Sequence, residues 1–251
     1  MKRLVFALGI LGGITPTYTW GSAIPLPDSI QVRDRVGGET GFGTPGGYYA
    51  TGTGSRVRGT AIDGRIGRQS VGLLDFEMKA QGELSFTPIK AFVLDPSWRD
   101  GIGYAPQPID TNGMWYVTVS PTDPRLKLPI TPADELALTA LFTHAFDIAQ
   151  TEPRYAAAFQ WLVWEYVWDS QVDLSVGNVR IVAGDGSYSD RVADIAQAWA
   201  DKISCGDWTP SGGIAVLYNG CTAPLIVPSP ASGALLLAGF AAFASRRRRH
   251  V

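Results

Sequence analysis

The sequence predicts an α+β body: antiparallel strands in a sandwich- or barrel-like arrangement, a central buried helix, and two helices flanking it. Three observations lead there. Between residues 30 and 120, short runs rich in branched and aromatic residues are separated by turn-forming Gly, Pro and Asn. From residue 131 the apolar period changes to that of helices, and a strand-like run returns at residues 214–218. At each end an apolar run lies beside clustered positive charge, which sets both ends apart from the body.

The elements follow in chain order. Lys2 and Arg3 precede an apolar stretch at residues 4–14, and Gly21-Ser22-Ala23 supplies small residues for a peptidase. This order predicts a secretory signal peptide over residues 1–23, with a buried N-terminal strand as the alternative. The exported body is then residues 24–226. Residues 30–36 (Ile-Gln-Val-Arg-Asp-Arg-Val) alternate as a strand does, whereas the glycine-rich residues 37–54 read as long loops or a flexible hairpin. Residues 71–78, 84–94 and 114–120 read as strands, with turns at Asp100-Gly101 and Thr111-Asn112-Gly113.

Thr131-Pro132-Ala133-Asp134 is a helix start, with an N-cap, a proline in the first helical position and an acid in the first turn, and the helix should reach Gln150. A second helix over residues 155–169 is apolar on nearly every face and should be the central one. A third begins at Ser189-Asp190 and runs to about Ser204, and residues 214–218 form a final strand. Residues 121–129 divide the strand-rich part from the helix-rich part. Strands on both sides of the helices favour one interleaved domain over two.

The chain has 21 Lys and Arg against 23 Asp and Glu. Setting aside the six basic residues of the two end segments leaves 15 against 23, a body of net charge −8. That acidity argues against nucleic acid as a partner. Cys205 and Cys221 are the two cysteines. In an exported protein they are expected to form a disulfide, worth about 3 kcal/mol for a loop of that length, with two free thiols as the alternative.

Gln160 is the body residue that most needs explaining, because it sits among Phe159, Trp161, Val163 and Trp164 and a buried amide must be bonded. A bond to a neighbouring backbone group is the ordinary solution. Glu165 is a candidate general acid or base if buried, but a lone carboxylate makes no mechanism, and an edge position or a pairing with Arg154 or Arg180 is expected. Asp185-Gly186-Ser187 with Asp190 lacks the ligand series of a calcium loop and reads as a turn. His144 has no nucleophile motif near it. Thus no metal, cofactor or catalytic set is expected. Trp161, Trp164 and Trp168 recur at helical spacing and should be core, while Trp98, Trp115 and Trp208 are better placed for exposure and sugar stacking.

The carboxyl end joins Val227-Pro228-Ser229-Pro230 to an apolar run at residues 231–244 and then to Arg246, Arg247, Arg248 and Arg249. As a helix the run would measure roughly 20 Å, short of the ~30 Å hydrocarbon core, and the arginines should remain on the cytoplasmic side. Residues 227–251 resemble a PEP-CTERM sorting segment, with Ser229 where Glu is usual. The resemblance implies export through signal peptidase and a transient inner-membrane anchor. Cleavage by an exosortase near the proline motif would follow, delivering the body to the surface or matrix of a Gram-negative bacterium. Exopolysaccharide or surface proteins would be its partners, and a structural or adhesive role is expected, with a carbohydrate-binding module as the alternative and a hydrolase as a third.

A second resemblance concerns the body. Residues 158–165 (Ala-Phe-Gln-Trp-Leu-Val-Trp-Glu) and Phe92-Val93-Leu94-Asp95 are similar to the Gln helix and the Cys strand of bacterial surface thioester domains. Val93 stands where that family has its cysteine, so the resemblance implies a thioester scaffold whose bond cannot form, with Val93 and Gln160 as its remnant.

Overall fold

The computed structural model describes residues 28–34, 52–60, 66–95, 113–128, 130–169, 172–182, 184, 188–220 and 223–229. The signal segment, the apolar run after Pro230, the arginine cluster, Cys221, Trp98, the Asp185-Gly186-Ser187 turn and the Asp100-Gly101 turn lie outside them.

Eight strands and three helices occupy the described residues: β1 (Ser29–Asp34), β2 (Gly52–Thr60), β3 (Ile66–Ala80), β4 (Thr87–Val93), β5 (Met114–Val119), α1 (Pro132–Ala149), α2 (Pro153–Trp168), β6 (Arg180–Ile181), α3 (Tyr188–Ser204), β7 (Gly213–Tyr218) and β8 (Leu225–Ser229). The strands pair in the order β1-β5-β7-β8-β4-β3, and β1 pairs back onto β3. All six contacts are antiparallel, so the ring is a closed six-stranded barrel. Closure gives every strand of that ring a partner on each side. The helix-rich segment is inserted between β5 and β7, so the body is interleaved as the order of elements implied.

β3 is long because it serves two layers. Its second half pairs with β4 on one edge and β1 on the other, while its first half pairs with β2 from Gly52↔Leu74 to Thr60↔Ile66. β2 and the short β6 thus extend the sheet beyond the ring.

Strand alternation sorts the side chains into two cores. Leu74 and Phe76 of β3, Ala91 of β4, Ala215 and Leu217 of β7, and Leu225 and Val227 of β8 fill the barrel with Ile30, Val32 and Tyr116. Their neighbours Val71, Leu73, Phe92, Leu94, Ile214, Val216 and Ile226 face outward and pack under the helices. Strands buried on both faces need continuous apolar runs, which Ile214–Leu217 and Leu225–Val227 supply.

α1 starts at the N-cap the sequence announces. Thr131 Oγ1 accepts from the Asp134 backbone N–H and donates to the Asp134 carboxylate at 2.6 Å. α2 is central: every residue from Ala156 to Tyr166 is buried. It contacts α1, α3, β2, β3 and β4. Phe92 and Phe159 stack at 4.2 Å between ring centres, and Phe142 meets Phe159 edge-on at 4.9 Å. α3 is amphipathic, with Val192, Ala196, Trp199 and Ala200 inward. On β2, Gly59 lets the Trp161 ring approach the backbone, since a Cβ there would stand 2.5 Å from the ring edge.

Two expectations need correction. Residues 214–218 are not the final strand: β8 follows and completes the barrel. Residues 52–54, at the end of the segment read as long loops or a flexible hairpin, begin the regular strand β2, which pairs antiparallel with β3. Cys205 is an exposed free thiol whose Sγ lies 3.6 Å from the Lys202 carbonyl, and its expected disulfide partner Cys221 lies outside the described residues.

Candidate functional site

α2 carries both candidate residues on consecutive turns. Gln160 is buried, and its amide brackets one residue of β4. Gln160 Oε1 accepts from the Val93 backbone N–H at 3.0 Å, and Nε2 donates to the Val93 carbonyl at 2.7 Å. One turn later the Trp164 indole N–H donates to the same carbonyl at 3.0 Å.

Strand pairing explains why that backbone needs a side chain. The Leu94 N–H points to β8, where it bonds the Pro224 carbonyl. Alternation therefore turns the Val93 N–H and C=O toward the opposite edge. On that edge β3 pairs no further along β4 than Ala91. The amide of Gln160 offers one acceptor and one donor, the same complement as a peptide group, and takes the place of the departed strand.

Sequence reasoning thus placed Val93 and Gln160 together, and they meet. The contact is with Val93's backbone, however. Its side chain packs with the barrel cluster on the far side of the sheet from α2. An aliphatic side chain offers the Gln160 amide no nucleophile, and this one faces the other core.

Glu165 contradicts the expected edge position or ion pair. It is fully buried, and among the described residues neither carboxyl oxygen has a hydrogen-bond partner. The indole N–H groups of Trp161 and Trp168, on the adjoining turns, find no acceptor among the described residues either. Arg154 instead pairs with Glu152 at 2.8 Å. Burial raises the Glu165 pKa to about 9, and the negative charges of Asp169 and Asp173 add to the effect. At neutral pH the side chain is therefore an uncharged acid. Asp169 ends α2 and accepts N–H bonds from Asn178 and Val179, which fastens the following loop over this end of the helix.

No protein-family model, curated protein or solved structure matches this chain. The remaining candidates are therefore placed by geometry alone. His144 is exposed, with Nε2 3.0 Å from the Thr209 carbonyl and its ring stacked on Trp208. Trp208 is half-buried in that stack and lies beside Lys202, so it is less open than the sequence suggested. Trp115 does project from the barrel at 50 % exposure. Val227, Pro228 and Ser229 of the tail motif lie in β8. Among the described residues no group of three His, Cys, Asp or Glu is placed to hold a metal ion, and no helix is long and apolar enough to cross a membrane.

Proposed function

We propose that this chain is an exported, exosortase-processed envelope or extracellular-matrix protein with a structural or adhesive role in exopolysaccharide or biofilm. The order of proline motif, apolar run and arginine cluster over residues 227–251 carries this reading, and the charged, apolar and small residues of the first 23 support it. The described body is compatible with a load-bearing part. Its barrel is closed, and the candidate acid Glu165 is fully buried on α2. The Gln160 bracket on Val93 favours a thioester-domain-like scaffold used without its covalent bond. Fractionation of the native host tests the proposal. The body should be found in the envelope or medium with both end segments removed, and full-length chain in the cytosol would overturn it.

One observation favours a carbohydrate-binding role as the second reading. Trp115 and Val117 are exposed on β5, directly opposite Gln31 and Ser29 of β1, which places an exposed aromatic ring beside polar side chains. Trp115→Ala should weaken retention on immobilised exopolysaccharide about tenfold, near 1.4 kcal/mol, and leave thermal unfolding unchanged. Unchanged retention would remove this reading.

A further inference from the structure

We propose that the outer face of β1, β5 and the second half of β3 binds a chain of uronic-acid sugars, with the Trp115 ring beneath a sugar and the Lys79 ammonium on a sugar carboxylate. This rests on the carbohydrate-binding reading above and names the class of sugar.

The helix layer covers only one side of the ring. On β1 and β5, Ser29, Gln31, Arg33, Trp115 and Val117 belong to neither core. Their neighbours Ile30, Val32 and Tyr116 fill the barrel, so alternation turns these five outward. Trp115 and Val117, two residues apart, are both exposed large apolar side chains. An indole half in water contributes little to the fold. A flat apolar ring with one polar edge suits the apolar face of a sugar.

Register extends this face sideways. Gln31 stands opposite Trp115 on one side and Lys79 on the other, which makes a row across three strands. Trp115 and Lys79 are thus two strand spacings apart, roughly 10 Å. The acids near Lys79 are engaged elsewhere: Glu77 with Arg33 at 2.7 Å, Glu83 with the Ala80 N–H at 3.0 Å. Among the described residues Lys79 has no carboxylate partner. Its Nζ lies 4.7 Å from the centre of the Phe86 ring, a contact that fixes the cation in place. Charges beyond about 8 Å are screened at physiological salt, so the acidity of the distant body does not cancel this local charge.

Closure of the ring separates a sugar chain from a peptide. β1 and β5 are paired on both sides, so no added strand can dock on them, and recognition on this face must come from side chains.

Affinity electrophoresis of the full chain in two matched polymers tests this: polygalacturonate, and the same polymer with its carboxyls methyl-esterified. The charged form should bind about tenfold more tightly, as one charge-assisted contact requires. Lys79→Gln should abolish that difference, and Trp115→Ala should weaken binding of both polymers, each with the melting temperature retained. Equal affinity for the two polymers, or a preference that survives Lys79→Gln, would overturn the proposal. So would a failure to bind either polymer, although retention on host exopolysaccharide that depends on Trp115 would then leave the carbohydrate-binding reading standing. Binding that Trp115→Ala leaves unchanged would remove both.

Discussion

Glu165→Gln should stabilise the protein, and the gain should grow with pH. Unfolded, this carboxyl titrates near its ordinary 4.5; folded, it holds its proton to about 9 because burial penalises the charge. Between these values the folded state binds more protons than the unfolded one, so wild-type stability falls as pH rises, by at most about 1.4 kcal/mol per pH unit. Below pH 4.5 both states are protonated and the penalty vanishes. At pH 7 it is about 3 kcal/mol, and above pH 9 it is complete. Glutamine keeps the shape and cannot ionise. Urea denaturation at pH 4, 7 and 8.5 should therefore show a decline in the wild type that the variant lacks. Coincident profiles would show that the carboxyl is charged or solvated in the folded protein.

Gln160→Leu should cost about 2–4 kcal/mol, because it removes two hydrogen bonds and leaves the Val93 N–H without its acceptor at an edge no described strand covers. Trp164→Phe should cost less, near 1 kcal/mol beyond its packing change, since the Val93 carbonyl keeps the Gln160 donor. Chemical denaturation of both variants checks the ranking. If the leucine variant is the milder of the two, the bracket does not hold β4. Exchange of the Val93 amide hydrogen provides a local reading, since it should quicken in Gln160→Leu before the barrel amides do.

The helices were legible because their ends carry chemistry. Thr131, Pro132 and Asp134 mark the start of α1 in sequence and in space. The missed strands failed for separate physical reasons. β2 (Gly-Thr-Gly-Ser-Arg-Val-Arg-Gly-Thr) has little intrinsic strand preference and forms because β3 pairs with it over nine residues. β8 begins Leu-Ile-Val, and so short an apolar run next to a longer one cannot be told from its extension until the two cores claim alternate residues. Gln160 could be matched to Val93 only through two short motifs, because the need for its amide comes from where β3 stops pairing. The burial of Glu165 was hidden for the opposite reason: a helix apolar on almost every side does not show which turn will be sealed.

The insertion of α1, α2, β6 and α3 between β5 and β7 has a consequence for how the molecule is made. β1 must wait for β5, β5 for β7 across the whole helical segment, and β4 for β8, so most of the ring rests on contacts distant in sequence. A chain emerging amino end first therefore has no complete cylinder to retreat into until nearly all of the body has been delivered. Such high contact order slows folding and prolongs the interval in which half-built sheets can find one another.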